Sequence, residues 1–180
     1  MGAGLGVPIS WLRLSPGVGD ASRKACTGAA ESGVPYMLIS DVLAVKGPTV
    51  VTAAVTDKVR DAVRSLAQNR IGVVVVQDQW LHPIGVFSER DFINAVAADG
   101  ATALDREVRE LMSAPIISCR SSDRIDAVLA TMTLNRIRHV PVIDGDALDG
   151  IVSIGDLVKH RLDEKELEAN VLLDITRMRA

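Results

Sequence analysis

The seven residues GVFSERD (Gly85–Asp91) return 65 residues later as GIVSIGD (Gly150–Asp156). NRIGVVVV (Asn69–Val76) returns as NRIRHVPV (Asn135–Val142), and TDKVRDAV (Thr56–Val63) as SDRIDAVL (Ser122–Leu129), each 66 residues on. SDVLAVKGPTVVT and RELMSAPIISC lead into the two copies. Four landmarks in one order define an internal duplication, which confines the fold to two like units. The one-residue difference between the offsets falls in the turn joining two strands, where insertions and deletions are tolerated.

Each copy resolves into the same elements. A short extended run, Thr49–Ala53 or Ile116–Cys119, comes first. A helix follows, expected to be capped by Thr56 or Ser122 with an Asp in its first turn. Its apolar stripe is Val59, Val63 and Leu66 in one copy and Ile125, Leu129 and Met132 in the other. IGVVVV and HVPVI predict buried strands; IGVFS and GIVS complete hairpins across turns of polar residues. A second helix, Asp91–Ala98 or Asp156–Leu162, closes the unit. The order is β-α-β-β-α, twice: an α+β fold of α/β-type repeats. With 48% apolar but only 3% aromatic residues, the core must be built from Val, Ile, Leu and Ala. One unit is too small to stand alone, so the two are expected to pack through their sheets around a pseudo-two-fold axis.

The units span 38–100 and 107–165, followed by a helical tail, 166–180. Residues 1–36 lack a sustained period and contain only two acids, Asp20 and Glu31. They suggest a disordered leader, a start placed ahead of a natural beginning at Met37, or an organelle transit peptide. A cytoplasmic location is expected, organellar if that leader is a transit peptide. Net charge is −3 with the signs interspersed, which argues against nucleic acid as a partner. No apolar run approaches the ~20 residues a membrane helix requires. Cys26 and Cys119 form neither a metal spacing nor a disulfide framework. The three histidines, His82, His139 and His160, have no acid or cysteine at triad or ligand spacing, and no P-loop occurs. No catalytic cofactor and no enzyme activity are expected.

The repeated phrase supports two compatible readings. A Ser at a strand's end with Asp three residues on is a capping box, Ser88 with Asp91 and Ser153 with Asp156. The same residues suit a nucleotide. Helix N-terminal amides and a hydroxyl fit phosphate, and a carboxylate accepts from two ribose hydroxyls. The apolar strands supply walls for an adenine ring. The glycine that opens each phrase allows close approach by a flat ligand or by another backbone.

GVFSERD, GIVSIGD and NRIRHVPVID, set in two β-α-β-β-α units, resemble the cystathionine-β-synthase (CBS) domain, here as a tandem pair over roughly residues 38–165. The resemblance implies a regulatory protein that binds AMP, ADP, ATP, S-adenosylmethionine or NAD(H) and signals to a protein partner in trans. It gives Asp91 and Asp156 to ribose and places Ser88 and Ser153 near phosphate. Arg138 and His139 would reach across the axis to phosphates held beside Asp91, leaving Asp156 faced by only Gly72 and Val73. One strong site at Asp91 and a weaker or empty one at Asp156 follow. Arg90 adds charge or forms a surface pair, and Thr52 and Ser118 would lie near the adenine edge. If His139 contacts phosphate, affinity should rise below about pH 6.5. CBS pairs commonly dimerise as flat discs, and Leu167, Val171, Ile175 and Met178 form a stripe fit to seal a homodimer. The alternative is a ligand-free protein-interaction module on the same fold.

Overall fold

The computed structural model describes residues 24–25 and 37–178, with side chains at 24–25, 167–168 and 170–178 left out. Nearly all of the 1–36 leader and the stripe at Leu167, Val171, Ile175 and Met178 therefore lie outside the described residues and side chains. Within the leader, Lys24–Ala25 forms a two-residue strand, β1.

The first repeat runs β2 (Thr52–Ala54), α2 (Val59–Asn69), β3 (Val73–Gln77), β4 (Pro83–Ser88) and α3 (Glu89–Asp99). The second runs β5 (Ile117–Ser118), α5 (Ile125–Asn135), β6 (His139–Asp144), β7 (Ala147–Ser153) and α6 (Ile154–Met178). Ahead of each repeat stands a lead helix, α1 (Ile39–Lys46) or α4 (Val108–Leu111), and a 3-10 turn, Gly100–Asp105, precedes α4. In the first sheet β2 lies parallel to β3, and β3 is antiparallel to β4 with Val73 opposite Ser88. In the second, β6 and β7 pair antiparallel with His139 opposite Ser153, while β5 pairs with β1. The β-α-β-β-α order is thus present twice.

The lead helices are exchanged. Ile39 and Val42 of α1 are buried with Ile125, Val128, Met132, Val140 and Leu157 of the second repeat. Val108 of α4 is buried with Val59, Leu66, Val74 and Phe87 of the first. A third cluster joins the hairpins across the axis, where Val75 and Val86 meet Ile143, Leu148 and Ile151.

The exchange also decides how the helices are capped. Thr56 and Ser122 are not the caps: Lys58 and Arg124 hold those positions, with no side-chain bond. Backbone from the exchanged segments satisfies the orphan amides instead. The Val59 amide donates to the Arg106 carbonyl (3.0 Å) and Val108 to Asp57 (2.9 Å). Likewise Ile125 donates to Met37 (3.3 Å) and Ile39 to Asp123 (2.9 Å). Each lead helix is joined start-to-start with the helix of the repeat that it covers. The aspartates after the expected caps fix the turns, Asp57 accepting from the Ala54 amide and Asp123 from the Arg120 amide. Burial shifts slightly from the expected stripes, to Val59, Ala62 and Leu66 on α2 and Ile125, Val128 and Met132 on α5.

Ile39 is 0% exposed although it precedes the first repeat, whereas Val45 on the same helix is 76% exposed. Ile39→Ala should lower the unfolding free energy by about 2–5 kcal/mol. Val45→Ala should change it by no more than about 0.5 kcal/mol. Urea denaturation of both variants measures the difference, and equal effects would contradict the exchange.

Candidate functional site

Both repeated phrases end a hairpin strand and begin a helix, so Ser88 and Ser153 stand at equivalent corners. The Ser88 amide and hydroxyl both donate to Asp91 Oδ2, at 2.8 and 2.6 Å. The Asp91 amide donates back to Ser88 Oγ at 3.4 Å. Ser153 and Asp156 repeat this with 2.8, 2.8 and 3.2 Å. The capping box is complete at both corners. It also engages groups that a phosphate would use. The Glu89 amide is engaged as well, donating to the Gly72 carbonyl at 3.1 Å.

A segment crossing between the cores touches each acid. After α4 the chain bonds to the edge of β4, with the Val86 amide donating to the Ser113 carbonyl and the Ser113 amide to Val86. This puts Ser113 Oγ 2.9 Å from Asp91 Oδ1. At the end of α1, Lys46 Nζ donates to Asp156 Oδ2 at 2.6 Å. The glycines opening the two phrases serve these crossings. A Cβ on Gly85 would lie 2.9 Å from the Ser113 carbonyl oxygen, and one on Gly150 2.6 Å from Leu43 Cδ2. The close neighbour each glycine admits is the chain itself.

Across the axis the starts of β3 and β6 meet: a Cβ on Gly72 would sit 3.5 Å from His139 Cε1. A cleft of about 260 Å³ opens there, lined by Ser88, Arg90 and Asp91 of one repeat and Arg138 and His139 of the other, with Glu89 and Ser113 between. Arg90 spans the cleft, its Nη1 donating to the Arg136 carbonyl at 3.3 Å. A second cleft of about 350 Å³ is lined by Ser153 and Gly155 on one side and Arg70 and Gly72 on the other. It holds more charge than Gly72 and Val73 alone would give. Glu89, Arg138 and His139 line it too, while Val73 lines the first cleft. Asp156 lines neither. Nor do Thr52, exposed on β2, and Ser118, buried on β5.

Lys46, Glu89 and Ser113 carry no local signature and are absent from the sequence reading. One signal was available: the lead segments match at Lys46-Gly47-Pro48 and Ser113-Ala114-Pro115, which makes Lys46 and Ser113 counterparts.

Burial would raise the Asp156 carboxyl, but Lys46 and the Ser153 donors outweigh it and hold the group below the usual carboxylate range. Burial, with the Lys46 and Arg138 charges, holds the His139 imidazole below its ordinary pKa against the opposing pull of Asp156 and Glu89. The gain in phosphate affinity expected below about pH 6.5 is displaced to lower pH by this depression. The unfolded chain protonates His139 first, near pH ~6.5. His139 therefore contributes no penalty above that value, and stability is lost as pH falls from it toward the folded-state pKa. Between pH 7.5 and 5.5 the wild type should lose more unfolding free energy than His139→Gln. Equal losses by urea denaturation would contradict a neutral, half-buried imidazole.

The sequence matches the CBS domain family over residues 39–98 and 108–163. It is similar to the "CBS domain-containing protein CBSX3, mitochondrial" of Arabidopsis thaliana, 32% identical over 156 residues that cover 78% of this chain and 75% of that one. A CBS-domain protein from Agrobacterium tumefaciens superposes with a TM-score of 0.67 at 36% identity, covering 74% of this chain and 99% of that one. A CBS domain protein from Pyrobaculum aerophilum, solved in complex with AMP, superposes with a TM-score of 0.64 at 31% identity and the same two coverages. With two matched domains, an exchanged pair of lead helices and two equivalent Ser-x-x-Asp corners, the chain belongs to the CBS-domain family as a tandem pair.

Proposed function

We propose that the chain is a regulatory sensor that binds one adenosine-containing ligand, such as AMP, in the cleft between Asp91 and Arg138, and signals to a partner protein in trans. One observation carries this reading: Ser88, Arg90 and Asp91 of one repeat share a cleft with Arg138 and His139 of the other. Asp91 would hold the ribose hydroxyls, in competition with Ser113. Arg138, Arg90 and His139 would meet phosphate. The AMP complex of the Pyrobaculum relative supports an adenine nucleotide as the ligand class. A ligand that binds one arrangement of the repeats better than another shifts the population and so carries a signal. The compartment belongs to the same proposal: the cytoplasm, or an organelle if residues 1–36 act as a transit peptide, as the word "mitochondrial" in the Arabidopsis relative's name suggests.

The rival is a ligand-free interaction module, favoured by the completeness of both capping boxes. Thermal shift and calorimetry with AMP, ADP, ATP, NADH, S-adenosylmethionine and a guanine control separate the two. At a ligand concentration 100 times Kd, the folded state should gain about 2.7 kcal/mol. Asp91→Asn, which keeps an acceptor for the cap, should abolish binding with the protein still folded. Arg138→Ala should weaken phosphate-bearing ligands by roughly 10–100-fold and spare adenosine, as expected for loss of a charge-assisted bond. No response to any adenosine compound would leave the interaction module as the answer.

A homodimer is part of the proposal. Ile93 on α3 and Val158 on α6 occupy equivalent positions and are 64% and 45% exposed, with Val96 and Leu162 beside them. These four residues form an apolar face suited to a second copy. Ile93→Glu with Val158→Glu should convert a dimer to a monomer in light scattering. A monomeric wild type would refute the assembly.

A further inference from the structure

We infer that Lys46 is a gate on the second site: held on Asp156 by the exchanged helix α1, it keeps that carboxylate from a ribose and leaves one working nucleotide site per chain. This deepens the proposed function and rests on it.

The two corners differ most in what the crossing segment delivers. Asp91 receives a neutral hydroxyl from Ser113 on Oδ1, the oxygen not used by the cap. A hydroxyl can turn aside and itself accept a bond. Asp156 receives an ammonium on Oδ2, the same oxygen that takes the Ser153 amide and hydroxyl. A sugar diol would have to displace a cation from its counter-charge.

Lys46 is not a wandering surface lysine. It sits in the last turn of α1, closed by the Gly47 amide donating to the Leu43 carbonyl at 2.8 Å. Ile39 and Val42 anchor that helix in the second core, and Leu43 fills the space over Gly150. The Lys46 and Asp156 side chains are only 34% and 30% exposed. Asp91 lines its cleft, while Asp156 is missing from the wall of the neighbouring one, although about 350 Å³ of space lies beside Ser153 and Gly155. Room for a ligand exists there, and the carboxylate that would take the sugar is already paired with the Lys46 ammonium.

The sign of the effect separates a gate from a lysine that attracts phosphate. Removing a cation that attracts phosphate weakens AMP binding, whereas removing a gate strengthens it. Calorimetry would be run on wild type and Lys46→Met, which keeps the aliphatic stem, with AMP and with uncharged adenosine. The expected result is one resolved site in the wild type and two in the variant, the second event tightening by up to about fivefold, as displacement of a partly exposed ion pair allows. In Asp91→Asn/Lys46→Met one site should remain, and Asp156→Asn added to Lys46→Met should remove the second. One site in both wild type and Lys46→Met, two equal sites in wild type, or weaker binding in Lys46→Met would overturn the gate and leave the nucleotide reading standing. No binding to either protein would overturn both.

Discussion

Four backbone hydrogen bonds at helix starts set the geometry of this molecule. A helix start leaves amides without partners, and here each lead helix and the helix it covers supply them to one another: Ile39 with Asp123, Ile125 with Met37, Val108 with Asp57, Val59 with Arg106. Because α1 precedes the first repeat but caps a helix of the second, the chain after it must cross between cores, and the chain after α4 must cross back. Val50 and Ile116, on the two crossings, pack in the cluster between the hairpins. Both crossings begin beside an aspartate, Lys46 at Asp156 and Ser113 at Asp91, and the hairpin glycines Gly150 and Gly85 admit Leu43 and Ser113 close by. The site is where an exchange of helices brings three separate stretches of chain to one corner.

Equivalent scaffolds then diverge through a few side chains. Ser113 and Lys46 are counterparts, as are Glu89-Arg90 and Ile154-Gly155, and Gly72-Val73 and Arg138-His139. None of these substitutions alters the capping boxes, whose bonds match to within a few tenths of an ångström. They change charge around a fixed carboxylate. Duplication supplied the frame and divergence of its rim made the two corners chemically different.

What the sequence disclosed follows the range of the forces involved. The repeat, the hairpins, and the Ser88–Asp91 and Ser153–Asp156 boxes are local patterns, and each lies where spacing put it. The meeting of Arg138 and His139 with the Asp91 corner was an expectation carried by the resemblance to CBS pairs and not by any local pattern. The exchange was not legible, because apolar spacing in α1 records that a face is buried and not against which core. Thr56 and Ser122 were natural side-chain caps that lost to backbone donors and acceptors from more than 40 residues away in one case and more than 80 in the other. Lys46 and Ser113 match as counterparts in the sequence, but their place beside the two aspartates came only with the crossing that delivers them. Thr52 and Ser118 mark the same limit: a place on the first strand of each repeat, where Thr52 opens β2 and Ser118 closes β5, did not bring them to either cleft.

On the proposed reading, the route of a signal out of the cleft follows from what can yield. The cores cannot, since Val42, Val74, Phe87 and Leu157 are fully buried and close-packed. The Ser113 segment is pinned to β4 by two backbone bonds. One tie across the axis at the site can yield: the 3.3 Å bond from Arg90 to the Arg136 carbonyl, made by an exposed side chain to the end of α5. A phosphate drawing Arg90 and Arg138 inward would break that strap and replace it with a tie through the ligand. Arg90 lies in the first turn of α3, so the change is passed directly to the helix that presents Ile93 and Val96 outward. A ligand lacking phosphate would grip Asp91 and leave the strap intact. The chemistry at the phosphate end, more than the adenosine, then decides whether a partner sees a different surface.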